Sequence, residues 1–267
     1  MKVAKSVVVV LGFALLSPAP FPHLIPALLP AAHAQTTYYV DGSCGSDSWS
    51  GTSQVCAFPN GPKRTIQAGI DTSVTGDTVI VADGTYIGAG NKNLDFGGKA
   101  IRVRSEGGPA VCIIDCENDG RGFYFHTGET ADAVLEGFTI RNGLVAGNGG
   151  AILCESASPT VTNCTFSGNV AGRGGGMFNQ NSSPTVSDCT FATNTATGKG
   201  GGGMFNDRGS SIVSNCTFIG NTAEGLASFD GGGGIFNGPG DPLGLFGPVS
   251  MRESVVVEPR AEPEGGA

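Results

Sequence analysis

The sequence predicts an all-β fold, a parallel β-helix of about seven rungs behind an N-terminal loop and helix cap. A recurring tetrad is the first observation: Asn163-Cys164-Thr165-Phe166, Asp188-Cys189-Thr190-Phe191 and Asn215-Cys216-Thr217-Phe218 follow one another at nearly equal spacing. The apolar patches inside each unit are the second, since runs of three to five residues suit strands and are too short for buried helices. The third is the placement of the turn formers. Glycine accounts for 45 of 267 residues, and Asn169, Asn194 and Asn221 each stand three places after the tetrad phenylalanine. One unit of this size cannot bury its own apolar patches, but stacked units pair strand on strand at about 4.8 Å per rung. Glycine and asparagine tolerate the positive φ of tight turns, and stacked asparagines pass hydrogen bonds along the ladder.

Residues 1–34 read as a secretory signal peptide. Lys2 and Lys5 precede an apolar run from Val7 to Leu16, and Ala32-His33-Ala34 offers small residues for cleavage before Gln35. Pro18, Pro20, Pro22, Pro26 and Pro30 spoil a spanning helix there, and no later segment approaches the ~20 apolar residues a span needs. The mature chain is expected to be secreted or at the cell surface, with no transmembrane segment.

Residues 35–75 form the expected cap. Cys44 and Cys56 bracket a loop rich in glycine and serine, and export permits a disulfide between them. In Thr65 to Asp71, Ile66 and Ile70 lie four apart, which fits a short helix laid over the first rung. Such a cover is needed because an open rung presents unpaired backbone groups.

Residues 76–237 carry the rungs. Thr78 to Val81, Ala100 to Val103, Val111 to Ile114 and Phe123 to Phe125 read as early strands, and Phe138-Thr139-Ile140-Arg141-Asn142-Gly143 as a degenerate copy of the repeat. Glycine runs then lead into Ala151-Ile152, Met177-Phe178, Met204-Phe205 and Ile235-Phe236. After Asn237 the tetrad does not return, and residues 238–267 read as an irregular acidic tail bearing proline and glycine. The spacing leaves the pairing of Cys112, Cys116, Cys154, Cys164, Cys189 and Cys216 open, and no C-x-x-C pair suggests zinc.

The coupling of Gly149-Gly150-Ala151-Ile152 with Phe166-Ser167-Gly168-Asn169, Phe191-Ala192-Thr193-Asn194 and Phe218-Ile219-Gly220-Asn221 resembles the two short motifs of polymorphic outer-membrane protein repeats. Tyr39-Val40-Asp41, Thr65-Ile66-Gln67 and Gly76-Asp77-Thr78-Val79 through Gly84-Thr85-Tyr86 look like the N-terminal part of secreted pectate-lyase-like β-helix proteins. The resemblance covers roughly residues 38–237 and implies a right-handed β-helix. It is specific for fold and weak for activity, because that superfamily includes lyases, hydrolases, esterases, tailspikes and adhesins.

The net charge is −8, and −10 without the two leader lysines, so the chain would repel nucleic acid. His126 is the one histidine outside the leader, which leaves little room for histidine-rich zinc sites. Asp115, Glu117 and Asp119 before Gly120 alternate like the acidic half of a calcium loop, but its twelfth position is His126 instead of glutamate and the surrounding strands do not fit that motif, so a solvated acidic turn is the preferred reading and calcium the alternative. Phe123 and Phe125 should point into the core and leave Tyr124 exposed to stack on a sugar, with Trp49 in the cap loop a second such aromatic. Gly198-Lys199-Gly200 lacks the residues of a phosphate loop. No arginine is marked as the base of a lyase, and the paired aspartates and Gly-His-Gly of polygalacturonases are missing, so catalytic residues stay unassigned. The expected function is a scaffold for adhesion or carbohydrate binding, its partner a polysaccharide or a host or cell-surface glycan. A polysaccharide lyase or related glycan-acting enzyme is the alternative.

Overall fold

A computed structural model describes residues 34–198, 200–225, 233–238, 250–252 and 255–257 of the chain. The expected leader lies outside the described residues.

The cap opens with β1 (Thr37–Val40), followed by a loop closed by the Cys44–Cys56 disulfide, with Cα atoms 5.9 Å apart. Asp47 then ties the loop to the next element, accepting hydrogen bonds from the Arg64 and Thr65 amides at 2.8 Å each. That element is α1 (Ile66–Thr72), where the sequence places a helix. Thr65 caps its N-terminus by accepting from the Ala68 amide at 3.3 Å. Ile66, Gly69 and Ile70 form its buried face. Gly69 is required by contact, since a Cβ there would lie 2.7 Å from a Val40 methyl and 2.9 Å from a Val79 methyl.

From here the chain winds as a solenoid. The first turn holds β2 (Thr78–Val81) and β3 (Gly84–Tyr86), and Leu94 bridges to the turn below. The second holds β4 (Arg102–Ser105), β5 (Cys112–Asp115) and β6 (Phe123–Phe125). In the third come β7 (Val134–Glu136), β8 (Thr139–Arg141) and β9 (Ile152–Glu155). A short extra strand joins from the fourth turn on: β10 (Thr160–Thr162), β11 (Thr165–Ser167), β12 (Val170–Ala171), β13 (Met177–Gln180). The fifth repeats it as β14 (Thr185–Ser187), β15 (Thr190–Ala192), β16 (Thr195–Ala196) and β17 (Met204–Asp207). The sixth follows with β18 (Ile212–Ser214), β19 (Thr217–Ile219), β20 (Thr222–Ala223) and β21 (Ile235–Asn237). Two further strands, β22 (Ser250–Arg252) and β23 (Val255–Val257), pair in parallel with β18 and β19, inside the stretch that the sequence reads as an irregular tail.

Every strand pairing is parallel and in register along three long sheets. Sheet A runs from β1 through β2, β4, β7, β10, β14 and β18 to β22. Sheet B runs from β3 through β5, β8, β11, β15 and β19 to β23, and sheet C from β6 through β9, β13 and β17 to β21. The described residues thus give six turns and the first two strands of a seventh.

Register turns sequence repetition into ladders. Phe166, Phe191 and Phe218 are fully buried, with ring centroids 4.7 and 4.6 Å apart, and each buried ring contributes about 1.5–3 kcal/mol of transfer free energy. Asn169, Asn194 and Asn221 form the expected amide ladder. Asn194 Nδ2 donates to Asn221 Oδ1 and to the Phe166 carbonyl at 2.9 Å each, while its Oδ1 accepts from Asn169 Nδ2 at 2.9 Å. The positive φ falls elsewhere, on Asn163 (50°), Asp188 (55°) and Asn215 (50°), the corner between sheets A and B.

Between β10 and β21 the chain length varies at one corner only. The run from the start of the preceding short strand to sheet C is seven residues from Val170 to Met177, nine from Thr195 to Met204, and thirteen from Thr222 to Ile235.

Candidate functional site

Alternation along sheet C decides what faces outward. In β6, Phe123 and Phe125 are fully buried in the core as expected, and Tyr124 lies between them on the outer face. Register places Tyr124 beside Leu153, and Leu153 beside Phe178 and then Phe205 and Phe236, so an apolar column runs along that face. Leu153, Phe178 and Phe205 are buried, and Tyr124 and Phe236 pack on the two ends of this cluster.

A polar column runs beside it. Glu155, Gln180 and Asp207 are in register, and His126 stands at the same level, directly after the Phe125–Cys154 pair. The Gln180 side-chain amide makes no hydrogen bond among the described residues, whereas Asp207 pairs with Arg208 at 3.3 Å.

At the upper end of the two columns five polar side chains meet. His126 Nε2 lies 3.2 Å from Asp95 Oδ2, and its ring stacks on Tyr124 with centroids 4.0 Å apart. The Tyr124 hydroxyl donates to Glu155, and the Arg121 guanidinium sits 5.2 Å from the Tyr124 ring centroid. The hydrogen bond to Glu155 raises the Tyr124 phenol above its ordinary value, since it is the proton that holds the carboxylate, and burial adds to this. Burial lowers the Arg121 guanidinium from its ordinary value. Chemically the group combines an imidazole and a phenol, each held by a carboxylate, with a cation and an aromatic surface.

The other residues singled out from sequence lie apart from this group. Trp49 is half-buried in the cap, its indole lying across Gly61 so closely that a Cβ there would come within 2.3 Å. Asp115 accepts from Arg141 Nε and Asn142 Nδ2 at 2.9 Å each. Glu117 and Asp119 share Lys92, at 3.2 and 3.0 Å. The three acids therefore do not converge on one point: Asp115 pairs with Arg141, and Glu117 and Asp119 with Lys92. Asp41 gathers with the Cys44 and Cys56 sulfurs, but those sulfurs are joined to each other. Two clefts of about 240 and 230 Å³ lie beside the cap, the larger lined in part by Tyr39, Asp41, Gln54 and Glu106. The titratable groups converge instead on sheet C.

Residues 78–237 match the family described as right handed beta helix region. The chain belongs to this right-handed β-helix family. No curated protein and no solved structure matches it. Membership of the right-handed β-helix family accounts for the ladders and for the parallel register, and leaves activity open, because the family label names a fold. Among the described residues no helix is long and apolar enough to cross a membrane.

Sequence reasoning named Tyr124 and missed Asp95, Arg121, Glu155, Gln180 and Asp207. A signal was available for three of them, because Glu155, Gln180 and Asp207 each stand three places after an Ile or Met at one phase of the repeat. Asp95 and Arg121 lie where the repeat is degenerate, and only the fold brings them together.

Proposed function

We propose that this chain is a secreted or cell-surface β-helical scaffold that binds a glycan along the outer face of sheet C without cleaving it. The observation that carries this reading is the pair of columns on that face. One is a buried aromatic and aliphatic column that holds the half-buried Tyr124 ring at its upper end, and the other presents a hydrogen-bonding side chain once per rung. A polymer lying along the axis would meet one polar group about every 4.8 Å. Sugars present hydroxyl edges and apolar faces; the polar column complements the first and the Tyr124 ring the second. Export is supported by the leader-like segment 1–34 and by the Cys44–Cys56 disulfide, and a surface role by the resemblance of the repeats to those of surface adhesins.

One observation favours a catalytic alternative, a lyase or related glycan-acting enzyme: His126 and Tyr124 are stacked on each other and each is held by a carboxylate, which is an arrangement that can move protons.

The test is binding and turnover by the purified chain on a panel of neutral and acidic polysaccharides. Binding that falls at least tenfold in Tyr124→Ala and in Gln180→Ala, with no release of unsaturated or reducing product, is expected. Product release abolished by His126→Ala would replace the scaffold reading with the enzyme. Absence of binding to every polysaccharide by folded protein would overturn both.

A further inference from the structure

Independently of the glycan reading, the geometry points to a metal site inside the solenoid: Cys164, Cys189 and Cys216 form a column that takes a soft closed-shell monovalent cation, Cu(I) or Ag(I), between the sulfurs of successive rungs.

The three thiols are stacked by register, because each precedes one of the aligned residues Thr165, Thr190 and Thr217. All three are 1% exposed. They share one orientation, with each Sγ facing the carbonyl two residues back, at 3.2 Å from Thr162, 3.1 Å from Ser187 and 3.2 Å from Ser214. Cys189 and Cys216 also repeat a longer contact to the rung above, 3.8 Å to the Val161 carbonyl and 3.7 Å to that of Val186. Identical side chains in identical orientations are displaced only by the rung repeat, so neighbouring sulfurs stand about 4.8 Å apart.

That spacing discriminates between two fates of a thiol pair. A disulfide needs its sulfurs ~2.05 Å apart, which would drag both side chains out of the orientation they share. A metal–thiolate bond is about 2.3 Å, as for zinc, so a linear S–M–S unit spans about 4.6 Å and fits between rungs as they stand. Thiolate donors select soft cations such as Cu(I). Three thiols enclose two gaps. The two gaps share the Cys189 sulfur, which cannot bridge two cations in a straight line, so one gap is filled at a time: this releases two protons for one cation taken up, leaves the metal oxidation state unchanged, and gives a bound unit with one net negative charge. The column ends at Phe138, which occupies the same position one rung above Cys164 and separates it from Cys112. Cys112 is therefore an internal control.

The experiment is titration of the full chain, its Cys44–Cys56 disulfide intact, with Ag(I), and with Cu(I) supplied as its acetonitrile complex under anaerobic conditions, followed by native mass spectrometry and ultraviolet charge-transfer absorption. One ion per chain is expected for the parent and for Cys112→Ser. One is also expected for Cys164→Ser and for Cys216→Ser, which each keep one gap, and none for Cys189→Ser or for Cys164→Ser/Cys216→Ser, with uptake weakening as pH falls. Thermal melts establish that each variant is folded, and should Cys189→Ser fail to fold, the double variant still decides. An ion retained in Cys189→Ser or in Cys164→Ser/Cys216→Ser, or uptake only by urea-unfolded chain, overturns the site.

Discussion

Asn194 shows how much a single side chain carries inside a ladder. It is fully buried and its amide joins the rungs on both sides through four hydrogen bonds. Asn194→Ala leaves the buried Asn169 amide without its acceptor and removes the side-chain donor to the Phe166 carbonyl, while Asn221 Oδ1 keeps the Asn194 backbone amide and Asn169 Nδ2 keeps the Ile140 carbonyl; a buried group left without a partner costs about 1–3 kcal/mol. We expect a loss of about 2 kcal/mol or more, read from the urea midpoint, and an unchanged midpoint would remove the ladder from the account. Asp115 gives a pH-dependent counterpart. Burial pushes its carboxyl up, but the hydrogen bonds from Asn142, the Glu117 amide and Arg141 outweigh this and hold it below the usual aspartate value. A carboxyl lowered by folding stabilises the protein at pH above its unfolded value and loses that contribution as pH falls through the folded one. The stability gap between parent and Asp115→Asn should therefore be present at pH 7 and narrow from about pH 5 downward, and at less than ~1 kcal/mol because the Arg141 side chain is 41% exposed to screening solvent. A gap independent of pH would assign Asp115 a steric role instead. The asparagine ladder was legible in the sequence because identical residues recur at one phase. Positive φ at Thr193 (54°) was not, since a β-branched residue disfavours that region and only the neighbouring rungs, with Gly168 and Gly220 at the equivalent position, fix the turn.

At the scale of an element, α1 shows propensity and packing in opposition. Alanine is a better helix former than glycine by about 1 kcal/mol, yet the Val40 and Val79 methyls leave no room at Gly69. Overpacking of this kind costs about 1–3 kcal/mol. We expect Gly69→Ala to lower stability by about 1 kcal/mol net and Val40→Ala to be less harmful in its presence, a coupling that a double-mutant cycle measures. A stabilised Gly69→Ala would show that the helix stands off the first rung. The helix itself was legible from two isoleucines four apart, whereas the need for glycine depends on β1, a strand from the far side of the disulfide loop. Sheet C repeats the lesson. Tyr124 was legible as an outward aromatic from strand alternation, and His126 lies two residues after it, but the carboxylates of Glu155 and Asp95 that hold the pair required knowing which rungs stack, because each is 31 residues from its partner in the chain.

For the whole molecule the governing fact is that each turn touches only its neighbours, so stability is close to one-dimensional. The Cys44–Cys56 disulfide closes a short loop of the cap, and its removal costs about 2–3 kcal/mol in the chain-entropy account. In a one-dimensional array that loss stays local. In Cys44→Ser/Cys56→Ser, hydrogen exchange should accelerate in β1, α1 and β2 while β11, β15 and β19 keep their protection; uniform acceleration would mean that cap and rungs unfold as one unit. The rung count was nearly legible, because the tetrads set the period, and β22 and β23 escaped notice because their pairing uses no tetrad.

From the fourth turn to the sixth, one corner absorbs the differences in rung length, lengthening just before sheet C while the strands of the long sheets keep their register. Residues added there leave the pairing of the neighbouring strands unchanged. The fold thus separates two kinds of inheritance: a repeat that must be copied faithfully to stack, and a margin beside the binding face where sequence can drift, lengthen and acquire new preferences without consulting the core.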